Sequence, residues 1–180
     1  KGNYVVGAEV LTCFAYTRTR IRVCPACLKD DANALDRRPR ARQYMRRNWA
    51  LRFVRTCPTH SCPIVDFGTT DHRTKLRHDL VGALGRLQFE LREAYRSEAK
   101  RSMTEFENYA IDRIDGVRGH GELLDGMSLD RGGTLCEHVG VTALFGRRAD
   151  ADELTDQQQW EAAQVGFAFL KQGTPGLHSF

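Results

Sequence analysis

The sequence predicts a mainly α-helical protein in which a small module with short β-strands precedes a helical domain. The first observation is a pair of matched motifs, Cys24-Pro25-Ala26-Cys27 and Cys57-Pro58-Thr59-His60, flanked by period-two apolar residues. The second is the change to a helical period of 3.6 from Asp71 onward. We therefore expect a metal-binding module with an Arg-rich insert over residues 1–65 and a helical domain over residues 66–180.

Each motif, here called a knuckle, places two soft ligands three positions apart, so that one tight turn aims both side chains at one point. Four such ligands complete the tetrahedral shell that zinc prefers and leave no open position for a substrate. We therefore predict one structural Zn²⁺ per chain, held by Cys24, Cys27, Cys57 and His60. Cys62, two residues beyond His60, remains a competing candidate for the fourth ligand.

The cysteines are distributed as expected for a metal site in a reducing compartment. Of the six, Cys24, Cys27, Cys57 and Cys62 belong to the knuckles or adjoin them, while two others stand alone. This distribution favours metal binding over a disulfide framework.

Catalytic alternatives fit the knuckles poorly. A nucleobase deaminase would need His-x-Glu upstream of Pro-Cys-x-x-Cys, and no histidine precedes His60. A thioredoxin-like pair at Cys24 and Cys27 would need a βαβ setting, whereas this strand leads to a loop. We therefore expect a binding protein and not an enzyme.

Two segments of the module have the alternation of β-strands. Residues 18–23 place three arginines on one face, and Trp49, Leu51 and Phe53 repeat the period. We expect the two segments to pair as a hairpin-like base under the metal. The intervening residues 30–47, which contain Pro39, are expected to form a surface loop or a short helix.

The positive charge of the chain is concentrated in this module. Between Arg18 and Arg55 there are twelve basic and three acidic side chains, a net charge of +9, against +4 for the whole chain. Residues 1–17 contain one Lys and one Glu and carry no net charge, so residues 56–180 carry a net charge of −5. Because dense arginines repel one another without a polyanion, we predict phosphate contacts to nucleic acid. The predicted residues are Arg18, Arg20, Arg22, Arg37, Arg38, Arg40, Arg42, Arg46 and Arg47.

Helical periodicity and capping signals divide the second half of the chain. Leu76, Leu80, Leu84, Leu87, Leu91 and Tyr95 form one stripe, in which Gly82 and Gly85 predict a kink or break. Capping boxes at Ser102-x-x-Glu105 and Thr155-x-x-Gln158 predict two further helix starts, and Gly173 predicts the last helix end. A short helix around Leu123 and another after Ser128 are expected between them.

Residues 135–142 have some features of a helix-turn-helix corner, with Gly140 in the turn and Thr142 capping the next helix. The following segment is short for a recognition helix, so we favour a plain helical corner over a DNA-reading element. Cys136 and His138 lie two positions apart and would face different sides of a helix, which argues against a second metal site.

Composition bounds the remaining possibilities. With 41% hydrophobic and 28% charged residues, the chain has the composition of a soluble globular protein. No apolar run approaches the roughly 20 residues needed to cross a bilayer, and no signal-peptide pattern opens the sequence. The chain begins at Lys1 without a methionine, and we expect it to be part of a longer protein.

The knuckles and their surroundings resemble a known family. The residues that carry the resemblance are Arg22-Val23-Cys24-Pro25-Ala26-Cys27-Leu28, then Asp30 or Asp31, Trp49, Val54 and Cys57-Pro58-Thr59-His60. This pattern resembles the zinc-finger segment of the TniQ family, the bacterial target-selection proteins of Tn7-like, mercury-resistance-type and CRISPR-associated transposons.

The resemblance implies a non-catalytic accessory protein that helps select the DNA target and recruits an AAA+ transposition ATPase. The implied partners are DNA, that ATPase, and an RNA-guided effector or a DNA-binding targeting protein, with no membrane involved. The implied location is the bacterial cytoplasm, in association with the nucleoid. Two alternatives stay open, a zinc-finger DNA-binding transcriptional regulator and a structural zinc protein whose arginine face binds an acidic protein.

Overall fold

The structure is a computed structural model that describes residues 2–34, 36, 38, 42–69, 80–96, 99–173 and 175–176. Within these residues it contains seven α-helices and four short strands, which confirms the predicted mainly α class. In chain order they are β1 (Asn3–Val6), β2 (Glu9–Thr12), β3 (Arg20–Val23), α1 (Pro25–Asn33), β4 (Val65–Thr69), α2 (Leu80–Arg86), α3 (Gln88–Arg96), α4 (Glu105–Ile114), α5 (Glu122–Asp125), α6 (Leu129–Phe145) and α7 (Asp156–Lys171).

The chain divides into two compact units. Residues 16–103, here called the knuckle unit, contain both Cys/His motifs. Residues 1–15 and 104–180, here called the helical unit, form the other. Compared with the expected division at residue 65, residues 1–15 group with the later helices, and residues 66–103 group with the two motifs.

The knuckle unit is built on an antiparallel pair of strands, β3 and β4. The expected pairing of residues 18–23 with residues 49–53 is wrong. Arg47–Ala50 form a 3-10 helix that buries Trp49, and only an isolated bridge between Tyr16 and Leu51 joins the two segments. An irregularity between Arg20 and Arg22 in β3 interrupts the alternation on which the prediction relied.

The predicted leucine stripe is divided into two helices. α2 ends at Arg86 and α3 begins at Gln88, so the break lies at Leu87, close to the predicted position. Leu84 and Leu91 are buried. The part of the stripe that contains Leu76 lies outside the described residues.

Capping residues set the helix boundaries of the helical unit. The box predicted at Thr155-x-x-Gln158 is present and opens α7, and Gly173 follows its end with φ of 71°. The box predicted at Ser102 is wrong by two residues: Thr104 caps α4 and pairs with Glu107. Ser128 precedes α6 as expected. Among the described residues, no helix is long and apolar enough to span a membrane.

Residues 135–142 form no corner, because α6 runs without interruption from Leu129 to Phe145. The hydroxyl of Thr142 donates to the carbonyl of His138 one turn earlier. Gly140 instead lies where α6 crosses α7: a Cβ there would stand 1.7 Å from the carbonyl oxygen of Ala162. The glycine signal was therefore one of close helix packing and not of a turn.

A buried ion pair ties the N-terminal hairpin to the helices of its unit. Arg113 donates from Nη2 to Glu9 at 2.6 Å, and both side chains are almost completely buried. The other carboxylate oxygen of Glu9 accepts from the backbone N–H of Leu129. Both carboxylate oxygens of Glu9 thus accept hydrogen bonds from residues more than 100 positions later in the sequence. These bonds help to hold residues 1–15 in the helical unit.

Candidate metal centre

The first knuckle lies at the start of α1. Cys24 is the N-cap of the helix, and its sulfur accepts from the backbone N–H of Cys27 at 3.4 Å. Pro25 occupies the first helical turn, where its missing N–H costs nothing and its fixed φ favours the helix. Both thiols are buried at the start of this helix.

The second knuckle is a tight loop between two short extended segments. The N–H of Cys57 donates to the carbonyl of Cys62 at 2.8 Å, and the N–H of Ile64 donates to the carbonyl of Arg55 at 2.7 Å. Ser61 adopts φ of 46°, the left-handed conformation that lets the loop close. These bonds turn the side chains of Cys57 and His60 toward the first knuckle.

The two knuckles meet with the dimensions of a tetrahedral zinc site. Cys27 Sγ lies 3.6 Å from Cys57 Sγ and 3.2 Å from His60 Nδ1. The same nitrogen lies 3.7 Å from Cys24 Sγ and 3.8 Å from Cys57 Sγ. Zinc bonds of about 2.3 Å to sulfur and 2.0–2.1 Å to nitrogen give tetrahedral edges of about 3.6–3.8 Å. The four side chains therefore fit a zinc ion, with all ligand atoms within 4.8 Å of one another.

The thiols lie too close together to ionise independently. A hydrogen bond to Cys57, together with burial, raises the pKa of Cys24 well above its ordinary value. Burial, with the nearby charge of Cys57, raises the pKa of Cys27 to about 12. The hydrogen bond from Cys24 lowers the pKa of Cys57 to about 4. One thiolate thus forms readily, and further thiolates need a cation among them.

The carboxylate of Asp30 contacts the ring nitrogen of His60 that faces away from the sulfurs. His60 Nε2 lies 2.8 Å from Asp30 Oδ2, while Nδ1 faces the sulfurs. Zinc-bound histidines commonly donate their second ring N–H to a carboxylate, which fixes the tautomer and the ring orientation. The sequence motifs did not predict a role for Asp30 at the metal, although its position three residues after Cys27 on one helix was a usable signal.

Cys62 lies beside the cluster without joining the four-residue group. Its sulfur is 3.5 Å from that of Cys24, and its side chain is half-buried. Burial raises the pKa of the Cys62 thiol. The structure thus groups His60 with the three other predicted ligands and leaves Cys62 at the edge.

Two of the arginines predicted to contact nucleic acid form hydrogen bonds within the knuckle unit. Arg22 is 6% exposed and donates to the carbonyls of Leu51 and Val54, each at 2.6 Å. Arg46 makes a bidentate pair with Asp31 and stacks on the rings of Tyr44 and Trp49. Neither guanidinium faces solvent in the manner expected from the sequence.

The remaining predicted arginines lie in more open positions. Arg18, Arg38 and Arg47 are exposed, and Arg42 is half-buried. Arg20 is exposed and pairs with Asp66 at 2.8 Å. Arg37 and Arg40 lie outside the described residues.

The helix-capped Cys-x-x-Cys and the Cys-x-x-His loop thus form one Cys/His cluster that is compatible with a zinc site. Residues 6–64 match the model of the TniQ family, which confirms the resemblance over 59 of the 180 residues. The matched segment includes all four clustered ligands. No curated protein and no solved structure gives a significant match to the chain. The family match indicates an accessory role associated with transposition.

Proposed function

We propose that this protein is a non-catalytic transposition accessory protein that helps select the DNA target and recruits an AAA+ ATPase. The observation that carries the proposal is the TniQ match over residues 6–64, which contains the complete four-ligand cluster. In this proposal one structural Zn²⁺ per chain is held by Cys24, Cys27, Cys57 and His60. The protein acts in the bacterial cytoplasm, next to the nucleoid.

The zinc would supply no chemistry and would fix the shape of the knuckle unit. Three thiols and one imidazole fill the four positions, so no site is left for a substrate or an activated water. With its metal the unit keeps α1 and the Arg55–Ile64 loop together, and the arginines between them stay on one scaffold. Binding energies of about 10–16 kcal/mol for such ions match the whole stability of a domain.

For the DNA contact we propose the exposed arginines of the knuckle unit, Arg18, Arg38 and Arg47 above all. They would bind phosphates, which position a protein on a duplex without reading bases. A matched control is available in the helical unit, where Arg147 and Arg148 are also exposed. Arg22 and Arg46 are unsuitable as probes because their loss would disturb the fold.

Duplex binding measured over a range of salt concentrations tests the DNA contact. Each phosphate contact contributes about 0.9 to the slope of log affinity against log salt, so replacing Arg18, Arg38 and Arg47 with glutamine should lower the slope by roughly three. The Arg147/Arg148 double glutamine variant should leave it unchanged.

Co-expression with an AAA+ transposition ATPase, followed by co-purification, tests the partner. The proposal expects a complex of the zinc-loaded protein with that ATPase. Absence of DNA binding at low salt together with absence of the complex would refute the proposal. Sequence-specific protection of a short duplex without any ATPase contact would favour the transcriptional regulator instead.

A further inference from the structure

A cavity of about 210 Å³ opens beside the metal cluster, within the knuckle unit. Its walls come from α1, the second knuckle, β4 and the end of α3. Six small apolar residues line it: Pro25, Ala26, Pro63, Val65, Ala94 and Ala99. That volume suits one branched aliphatic side chain and is below the roughly 300–1,000 Å³ of small-molecule sites.

The rim of this cavity is positively charged. Lys29 and Lys100 both border it and are exposed, and no carboxylate is among the lining residues. Neither ammonium has an ion pair or hydrogen bond with another described residue. Lys100 does interact electrostatically with the thiol of Cys62 in the cavity wall. Tyr95, 40% exposed, adds an aromatic edge. The site thus combines an apolar floor with two exposed cations.

This combination fits a peptide better than a nucleic acid. A nucleobase in the cavity would place part of its polar edge against proline, alanine and valine side chains, where donors and acceptors find no partners. The polar groups of the lining belong to Lys29, His60, Cys62, Tyr95 and Lys100. An aliphatic side chain has no such requirement, and flanking carboxylates can reach the two lysines. Lysine ammonium groups on flexible stems also tolerate carboxylates at several positions.

We propose that the cavity between Lys29 and Lys100 binds a short acidic peptide segment of a partner protein, with one aliphatic side chain inserted between Ala94 and Pro63. The metal centre supports this site because His60 and Cys62 form part of its wall. The site adds to the proposed function and does not depend on it.

Selection from a random heptapeptide library displayed on phage tests the site with the full zinc-loaded chain as bait. We expect recovered peptides to contain Leu, Ile or Val flanked by Asp or Glu. Fluorescein-labelled copies of the recovered peptides then give affinities by anisotropy. The double variant Lys29→Glu/Lys100→Glu should bind them at least tenfold more weakly. Replacing the central aliphatic residue of the peptide with glycine should cause a similar loss.

Two further variants separate a direct role from a fold defect. Arg147→Glu/Arg148→Glu makes the same change in net charge in the helical unit and should leave the peptide affinity unchanged. Ala94→Trp fills the cavity without altering charge and should abolish binding. Metal content is measured for every variant, and each should retain one zinc.

Several outcomes would overturn the proposal. It fails if the recovered peptides lack the acidic-aliphatic pattern, if they bind the Lys29/Lys100 variant equally well, or if none is recovered. It fails also if a thymidine oligonucleotide binds in the cavity and displaces the peptide. DNA affinity and ATPase association, measured on the same variants, report separately on the proposed function.

Discussion

The two units of this chain are stabilised in different ways. In the knuckle unit, Cys24, Cys27 and Cys57 are buried around one point, where they would repel one another as thiolates without a cation. In the helical unit, Phe106, Tyr109 and Phe167 pack together at ring-centroid distances of 5.4–6.3 Å. We therefore expect the knuckle unit to need its metal to fold, and the helical unit to depend on side-chain packing and on the buried Glu9–Arg113 ion pair.

The chain offers a fluorescent probe for each unit. Its two tryptophans are Trp49, buried in the knuckle unit, and Trp160, in α7 of the helical unit. Trp160→Phe therefore leaves a reporter of the knuckle unit, and Trp49→Phe leaves a reporter of the helical unit. Every prediction below can be followed unit by unit with these two backgrounds.

The largest expected effect is the loss of one zinc ligand. Cys57→Ser should lose the metal and unfold the knuckle unit, since the binding energy of about 10–16 kcal/mol exceeds any reserve of stability. Trp49 emission should shift to that of an exposed indole, while Trp160 should keep its native signal. Simultaneous unfolding of both units would show that the contrast between them is wrong.

Gly166→Ala should destabilise the helical unit and leave the knuckle unit folded. A Cβ at this position would lie 1.9 Å from the carbonyl oxygen of Cys136 in α6, so the two helices would have to separate. We expect a loss of about 3 kcal/mol in the helical unit, measured by urea unfolding with Trp160, and unchanged zinc content. Gly85→Ala is the control: its Cβ meets nothing within 4 Å, so stability should be unchanged or slightly higher.

Asp30→Ala should weaken zinc binding without preventing the fold. Removal of the carboxylate behind His60 frees the ring to rotate, and loss of such a partner typically costs 10–100-fold in metal affinity. Competition with a chromophoric chelator measures the change. Asp66→Asn, with the same charge change in the same unit, should retain the wild-type affinity, and an equal loss there would point to a general charge effect.

The smallest effect concerns the helical unit at alkaline pH. Burial raises the pKa of Tyr109 to about 12, and burial also raises that of the Cys136 thiol. A folded-state pKa above the unfolded value gives stability that is complete below the unfolded pKa and is lost as pH rises through the folded one. Unfolding monitored by Trp160 should therefore become easier above pH 9–10. Tyr109→Phe combined with Cys136→Ala should flatten this dependence.

Sequence patterns predicted what local chemistry determines. The spacing within each knuckle predicted that Cys24, Cys27, Cys57 and His60 lie close together, as they do in the structure. A tight turn needs only neighbouring residues, so this prediction was a local one. The capping box at Thr155 was equally local. The partner of β3 was missed because strand pairing is a long-range choice, and β4 lies more than 40 residues away.

Burial was the second limit on prediction from the sequence. Arg22 and Arg46 belong to the arginine-rich segment that predicts a nucleic-acid surface. In the structure, however, Arg22 donates to the carbonyls of Leu51 and Val54, and Arg46 donates to the carboxylate of Asp31. Gly140 had the signal of a turn and proved to be a helix contact. In each case the tertiary neighbour, invisible in the sequence, decided the role.

Metal analysis of the purified full chain, by zinc stoichiometry and by the spectrum of the Co²⁺-substituted protein, tests directly whether Cys24, Cys27, Cys57 and His60 hold a metal ion. We expect one metal per chain in a tetrahedral site of three thiolates and one imidazole. Cys62→Ser should keep this spectrum, and His60→Ala should change it. A metal-free chain in which Trp49 remains buried, or a spectrum that depends on Cys62 and not on His60, would contradict the account.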